Sequence, residues 1–362
     1  MPLAPIPVRL PDGRRYDYVI GSLFSLADRM RDAGLRPGLC FVVTDVHLAA
    51  PYGAPLVAGL RAGGWEPHLI TLPAGETTKA PEHLQTIYDA ALAAGIDRKT
   101  PIVALGGGVV GDLAGYAAAT LLRGVPLVQV PTSLIAQVDS AIGGKTGINH
   151  GVGKNLIGAF HQPHLVYADM ETLGTLPERE WFSGLAEVVK HALIADPDLF
   201  DRMESQWEGI LGRDMAIVPG IIHRAAAIKI EVVQEDERES GRRAILNFGH
   251  TFGHAIERVA GYGAFTHGEA VAVGMIAALQ LSRLLYPGVD FDRAERLVRR
   301  IPVEGTLHGL SRSALRDAMQ SDKKKAGTRL RFVVLDRPGH ATVAENVSEE
   351  TIDAAWDYAS AD

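Results

Sequence analysis

Ile102-Val103-Ala104-Leu105 runs into Gly106-Gly107-Gly108-Val109-Val110-Gly111-Asp112. The apolar run reads as a short buried strand, and Val109–Leu121 reads as a helix, so the glycines mark a strand-to-helix turn. Gly106, Gly108 and Gly111 fit G-x-G-x-x-G in the context that gives the pattern meaning. Glycines let the backbone approach a pyrophosphate, and the helix N-terminus offers N–H donors and positive dipole. One part of the dinucleotide fingerprint is missing, since no Asp or Glu lies about 20 residues on to hold a ribose. The turn also does not sit in the first strand–turn–helix unit. Asp45, ending the first strand, and Glu76 are candidates for the ribose contact. The alternative is a tight turn with no ligand.

Outward from this turn, Leu39–Thr44, Glu66–Leu72, Pro101–Leu105, Pro126–Val130 and Leu165–Ala168 read as strands. Leu56–Ala62 and Pro81–Ala94 join Val109–Leu121 as helices between them. Such alternation predicts a parallel sheet with crossover helices. Thr132–Phe160 interrupts it and reads as a long functional loop rich in Gly, Ser, Asn and Lys. From about Leu176, Glu180–Ala195, Met215–Glu235, Gly249–Val259, His267–Leu285 and Arg293–Arg300 carry helical periodicity. The expected fold is an α/β N-terminal nucleotide-binding domain over 1–175 and an all-helical C-terminal metal- and substrate-binding domain over 176–362. A short strand pair is expected near 330–345. In such an arrangement the ligand site is expected in the crevice beyond the strand ends, between the domains.

The chain has 362 residues, 47% apolar and 22% charged, which excludes disorder for its bulk. Lys plus Arg number 36 and Asp plus Glu 43, a net charge of −7, which argues against a nucleic-acid partner. One cysteine, Cys40, excludes an intrachain disulfide and a cysteine-rich zinc site. Met1–Arg15 lacks the apolar core of a signal peptide, and no run of 18 apolar residues is evident, so the expectation is a cytoplasmic protein with no membrane partner.

Any metal must therefore use His and carboxylates. Asn247-Phe248-Gly249-His250-Thr251-Phe252-Gly253-His254-Ala255-Ile256-Glu257 puts His250 and His254 at i, i+4 on one helix face, and His267-Gly268-Glu269 follows. Neutral imidazoles suit Zn²⁺ in a catalytic site with three protein ligands. Core or capping histidines are the competing reading. The carboxylate candidate is Glu187, an acid on an apolar helix that is costly to bury unless paired or metal-bound; a buried ion pair with Lys190 is its alternative. Lys145 and Lys154 lie in the long loop, and Lys229, Arg242, Arg243 and Lys323–Lys325 follow. Gly144-Lys145-Thr146 is not a P-loop, because Asp139 stands where its first glycine belongs. Cations from several segments are what a sugar phosphate requires.

Gly106–Asp112, Asp139–Asn155, Glu187–His191, Asn247–Glu257 and His267–Gly274 together resemble the 3-dehydroquinate synthases of the shikimate pathway, within the sugar phosphate cyclase superfamily. The resemblance spans roughly residues 40 to 335, in five motifs in order. It implies NAD, a divalent metal (Zn²⁺, with Co²⁺ possible) and a homodimer. It implies Glu187, His250 and His267 as metal ligands, with His254 just outside the metal shell. It implies Asp45, Glu76, Lys79, Gly106, Gly107, Gly108, Val109, Val110, Gly111, Asp112, Thr132, Ser133, Lys145, Lys154, Thr172 and Thr175 on the NAD side. Asp139, Lys145, Lys154, Asn155, Lys190, Lys229, Arg243, Asn247 and His254 fall at substrate positions, and one or both of Lys323 and Lys324 close the pocket. Arg123 matches an arginine that reaches the partner subunit's substrate phosphate. Asn247 sets the chain apart from aminoglycoside-forming cyclases, which tend to carry Glu there.

The implied substrate is 3-deoxy-D-arabino-heptulosonate 7-phosphate. Oxidation at carbon-5 acidifies the carbon-6 hydrogen, phosphate leaves, the ketone is reduced again, the ring opens and an intramolecular aldol step gives 3-dehydroquinate. The departing phosphate is itself a candidate base. Two other classes stay in view at this point, an iron-dependent polyol dehydrogenase and a non-catalytic metal-binding scaffold. The dehydrogenase would release NADH and need fewer phosphate-binding cations.

Overall fold

Strand alternation explains the sheet. In β3 (Leu39–Asp45), Phe41 and Val43 enter one apolar cluster while Cys40 and Val42 enter another on the opposite face. A strand buried on both faces reads as a continuous apolar run, the signature of a parallel sheet covered on both sides. The computed structural model describes residues 3–261, 263–326 and 330–361, with the side chains of 321–326 excepted. It divides into two units, 1–176 with 233–238, and 177–232 with 239–362.

In the first unit β1 (Ile6–Arg9), β2 (Arg15–Ile20) and α1 (Leu26–Asp32) precede β3. Then come α2 (Ala54–Ala62), β4 (Glu66–Leu72), α3 (Pro81–Ala93), β5 (Ile102–Gly106), α4 (Gly108–Thr120) and β6 (Leu127–Pro131). A hairpin, β7 (Lys145–His150) and β8 (Gly153–Phe160), precedes β9 (Leu165–Ala168). The seven-stranded sheet has order β1-β2-β9-β6-β5-β3-β4, and only the β1–β2 pair is antiparallel. From β3 the chain steps outward to β4, then crosses back over β3 to β5. The direction of winding therefore reverses between β3 and β5, the place where open α/β sheets bind ligands beyond their carboxyl ends. Asp45 ends β3 and Gly106 ends β5.

Thr132–Phe160 is not one long loop. Its second half is the hairpin, which sequence alternation hid because glycines face each other across it, Gly147 opposite Gly158. A Cβ on Gly147 would sit 2.6 Å from the Ile157 carbonyl oxygen, so the close strand crossing excludes a side chain. The first strands and α1 also went unread, their exposed polar residues alternating too briefly to register.

The second unit is rich in helices: α5 (Glu178–Ala195), α6 (Pro197–Ser205), α7 (Trp207–Leu211), most of α8 (Val218–Glu235), α9 (His250–Ala260), α10 (His267–Leu285), α11 (Asp292–Arg299) and α12 (Arg312–Ala326). An antiparallel pair, β10 (Arg331–Arg337) and β11 (His340–Glu345), and α13 (Glu349–Ala359) complete it. α10 has 19 residues and contains an 18-residue window of mean hydropathy 1.3, enough by length and composition to cross a membrane. It is mostly buried inside this unit, as the central helix of a protein core is.

Candidate active site

The metal-competent cluster is assembled by close helix crossings. A Cβ on Gly268 of α10 would collide with the Ser183 carbonyl of α5, and one on Gly274 with the Gly249 carbonyl at the start of α9. A Cβ on Gly253 of α9 would lie 3.0 Å from the Ala270 carbonyl oxygen. Glycines at these points let three helices approach near their ligand-bearing residues. Gly249, at φ 80°, also supplies the left-handed residue that starts α9. Thr266 and Glu269 form a capping box on α10, and Arg179 clamps Glu269 at 3.0 and 2.7 Å, which fixes the first turn carrying His267.

Glu187, His250 and His267 each present a ligand atom within 4.8 Å of the others. Glu187 is wholly buried, and its Oε1 has no hydrogen-bond partner. That oxygen faces His250 Nε2 at 3.6 Å and His267 Nε2 at 3.7 Å, while Oε2 accepts from Lys190. A buried, unsatisfied carboxylate oxygen beside two imidazole nitrogens fits a divalent cation. The outer nitrogens are also committed: His250 Nδ1 lies 3.2 Å from the Phe248 carbonyl oxygen, and His267 Nδ1 lies 3.2 Å from Glu257 Oε2. Such contacts leave each Nε2 lone pair facing inward. Burial, then Lys190, holds His250 well below the usual imidazole range, so it is neutral near pH 7. Burial also pushes His267 down, but the Glu257 hydrogen bond and charge outweigh it and the net shift is upward.

His250 and His254 do not enter the same cluster. His254, exposed, belongs with Glu257 and His267 to a second group, which shares His267 with the first. Its ring lies 5.4 Å from His250 and 6.0 Å from His267. Glu257 stood in the quoted motif without a role; its seven-residue spacing from His250, two helical turns, was the signal that it shares that face. Lys190, Lys229 and Arg243 are buried cations of this unit. Asn247 Nδ2 donates to Glu239 Oε1 at 2.8 Å, and Glu239 is another residue the sequence reading missed. α12 carries Lys323 and Lys324, whose side chains lie outside the described residues.

In the first unit, the glycine turn needs its glycines for contact. A Cβ on Gly106 would lie 2.5 Å from Val110 Cβ, one on Gly107 3.3 Å from Ser133 Oγ, one on Gly108 3.1 Å from Ser140 Oγ, and one on Gly111 2.9 Å from Gln129 Oε1. Gly107, Gly108 and Val109 are partly open to solvent where α4 begins, while Val110 and Gly111 are buried. Thr132 and Ser133 are buried beside the turn, the Thr132 N–H donating to the Gly106 carbonyl at 3.0 Å. Lys79, buried, donates to Asp112 Oδ2 at 2.6 Å and to Asn155 Oδ1. Asp45 Oδ1 accepts from the His47 N–H at 2.8 Å, a local turn contact. Thr172 donates to the Asp169 carbonyl at 2.6 Å, and Thr175 Oγ1 lies 2.9 Å from the Tyr52 hydroxyl. Lys145 begins β7 and Lys154 lies in β8, with Asp139 just ahead of the hairpin. Arg123 is exposed at the far end of α4.

Residues 69–183 match the model of the 3-dehydroquinate synthase N-terminal family, and 184–325 that of the 3-dehydroquinate synthase C-terminal family. The chain is 54% identical over 361 residues to a 3-dehydroquinate synthase of Salinibacter ruber, covering 99% of this chain and 98% of that one. It is 48% identical to that of Nitrosomonas europaea, covering 93% and 92%. Among solved structures, a 2-epi-5-epi-valiolone synthase from Streptomyces hygroscopicus with NAD⁺ and Zn²⁺ bound superposes with TM-score 0.85 at 30% identity, covering 96% and 97%. A 2-deoxy-scyllo-inosose synthase complexed with carbaglucose-6-phosphate, NAD⁺ and Co²⁺ superposes with TM-score 0.86 at 26% identity, covering 98% and 99%. An NADH-dependent butanol dehydrogenase from Thermotoga maritima, TM-score 0.63 at 15% identity, shares the fold alone.

Proposed function

Since the chain belongs to the 3-dehydroquinate synthase family, we infer that it converts 3-deoxy-D-arabino-heptulosonate 7-phosphate to 3-dehydroquinate and phosphate. It is an enzyme of the shikimate route to aromatic amino acids, with NAD⁺ and a divalent cation, Zn²⁺ or Co²⁺, as cofactors. By reaction class it is a carbon–oxygen lyase that also closes a carbocycle. One observation carries the reading: Lys190, Lys229 and Arg243 are buried in the unit that holds the carboxylate–imidazole cluster. Cations buried in the unit that holds a metal-competent cluster suit an acid bearing a phosphate better than a plain alcohol.

The chemistry these sites would take from bound groups is Lewis acidity toward sugar hydroxyls from a divalent cation and a reversible hydride acceptor from NAD⁺. Glu187, His250 and His267 would hold the cation, with Glu257 and the Phe248 carbonyl fixing the imidazole orientations. The backbone at Gly107–Val110 would receive the pyrophosphate at the start of α4, with Glu76, Lys79, Asp112, Thr132 and Ser133 around the rest of the dinucleotide. Lys145, Lys154, Asn155, Lys190, Lys229 and Arg243 would hold carboxylate and phosphate. Asp139, Asn247 and His254 would orient hydroxyls, and Lys323 or Lys324 would close the pocket. Fixed donors of this kind lower the barrier by orienting the substrate and by meeting charge as it develops.

A cytoplasmic homodimer completes the reading. Arg123 is about 20 Å from the glycine turn, since the 13 residues of α4 rise 1.5 Å each. Leu122 and Arg123 adopt φ of 50° and 66°, a costly turn of the kind found at functional sites. An exposed arginine at this end of α4 would be open to a partner subunit's phosphate.

The test is to supply the heptulosonate phosphate with metal and NAD⁺. Phosphate should be released in step with 3-dehydroquinate, with no net accumulation of NADH. Stoichiometric NADH without phosphate would replace this reading with a polyol dehydrogenase.

A further inference from the structure

Asn149 is the penultimate residue of β7, outside the set of residues assigned to either ligand. Its backbone N–H donates to the Lys79 carbonyl at 2.8 Å, and its Nδ2 donates to Glu76 Oε1 at 2.8 Å. Its Oδ1 accepts from the Asn155 N–H at 2.9 Å. One side chain thus joins the turn that carries Glu76 to the hairpin that carries Lys154 and Asn155. Asn155 sits at φ 55°, in the left-handed region that asparagine tolerates better than most residues. Its Oδ1 accepts from Lys79, whose ammonium also pairs with Asp112 at 2.6 Å. The links therefore close a ring: Asn149 to Glu76, Glu76 through its own short turn to Lys79, Lys79 to Asn155, and Asn155 back to Asn149. Lys79 is buried, while Glu76 and Asp112 are partly exposed, so the ring has a fixed base and an open rim.

We propose that Asn149 is a positioning residue that holds the Glu76 carboxylate and the Lys154–Asn155 start of β8 in one register, so that dinucleotide and sugar phosphate meet a single pre-set surface. The proposal rests on the reading above, in which Glu76 faces NAD⁺ and Lys154–Asn155 the phosphorylated sugar. An amide is suited to the position because it must donate to a carboxylate and accept from a backbone N–H at once. Aspartate keeps the acceptor and loses the donor.

Asn149→Asp should therefore keep the Asn155 contact and set a carboxylate against Glu76. NAD⁺ affinity, read by calorimetric titration of the metal-loaded protein, should fall about tenfold, the scale of one lost hydrogen bond to a charged group. The double variant Asn149→Asp with Glu76→Gln reverses donor and acceptor across the same gap. Glu76→Gln alone sets the cost of removing the Glu76 carboxylate, and the double variant should bind NAD⁺ within about twofold of it, because the link between the two side chains is kept. Asn149→Ser, too short for either contact, should raise the KM for the sugar phosphate and the NAD⁺ dissociation constant together, with kcat at saturation within about threefold of the parent. NAD⁺ binding within twofold of the parent in Asn149→Asp, or the same tenfold loss when Asn149→Asp is added to Glu76→Gln, would overturn the proposal. If Asn149→Asp does not fold, Asn149→Ser is judged by the same twofold limit. NAD⁺ titration needs no turnover, so failure of the substrate assignment would show separately, as a parent protein that binds NAD⁺ and releases no phosphate.

Discussion

His267 and Glu257 are joined through the imidazole nitrogen that faces away from the metal-competent cluster, Nδ1 to Oε2 at 3.2 Å. The carboxylate is at once a tautomer lock and a source of negative charge that makes the opposite nitrogen a better donor to a cation. Glu257→Gln should weaken metal binding about 10- to 100-fold, the range for losing such an outer partner. Competition with a chelator of known affinity measures it. Unchanged affinity would show that Glu257 serves only its own helix.

His250 and His254 allow a direct comparison, one helical turn apart on α9. His250→Ala removes a nitrogen that faces the orphaned Glu187 oxygen and should abolish stoichiometric metal and turnover together. His254→Ala should leave metal content at parent level and reduce kcat/KM for the sugar phosphate. Metal analysis of the two purified variants decides, and full occupancy in His250→Ala would refute the ligand set.

The glycines of the turn should separate by position. Gly111 abuts the Gln129 side chain, whose Nε2 donates back to the Gly111 carbonyl at 3.1 Å. Gly111→Ala should cost about 1–3 kcal/mol of stability by overpacking, visible as a lower Tm. Gly108 lies at the partly open start of α4 beside Ser140 Oγ. Gly108→Val should weaken NAD⁺ binding more than it lowers Tm, and the reverse pattern would mean that Gly108 is a packing residue.

These contrasts mark what the sequence could disclose. Strands buried on both faces, such as β3 and β5, announce themselves as apolar runs, and α5, α9 and α10 through helical periodicity. β7 and β8 did not, because a hairpin whose facing positions are Gly147 and Gly158 has no side-chain alternation there to read. Glu187 was visible as an acid on an apolar helix. Its unsatisfied Oε1 was not, because satisfaction depends on which atoms three separate helices bring together. Asn149 and Glu239 act by holding another polar side chain, and nothing in a linear pattern distinguishes such an amide or acid from a solvated one.

Glu295 gives a pH-dependent test of the second unit. It accepts from Arg299 Nε at 2.7 Å and from the Tyr358 hydroxyl at 2.9 Å, and pairs with Arg283 at 2.6 Å, tying α10, α11 and α13 together. Burial alone would raise its pKa, but the hydrogen bonds from Arg299, Tyr358 and Arg283 outweigh it and the net value is below the ordinary 4.5. A carboxylate with a lowered folded pKa stabilises above its unfolded pKa and loses that contribution as pH falls through the folded value. The Tm gap between the parent and Glu295→Gln should therefore be full at neutral pH, shrink below about pH 4.5 and close in stronger acid. A gap independent of pH would show that shape, and not charge, matters at this position.

Arg123 tests the shared site. It is exposed, and α4 separates it from the glycine turn by about 20 Å. In a two-fold assembly a residue exposed on one subunit can be carried by symmetry to the other subunit's site. Arginine suits the task because its planar fork gives two parallel hydrogen bonds to a phosphate, which lysine cannot reproduce. Arg123→Ala should raise the KM for the phosphorylated substrate by tenfold or more, with NAD⁺ affinity and metal content unchanged. Lys145→Ala should be inactive through a site of its own subunit. Mixing the two under conditions of subunit exchange gives a heterodimer in which one site carries both lesions and the other carries neither. Statistical mixing makes half of the dimers mixed, each with one intact site, so activity should recover toward a quarter of the parent value. No recovery with exchange verified by mass, or parent-like kinetics in Arg123→Ala, would place the whole site within one chain.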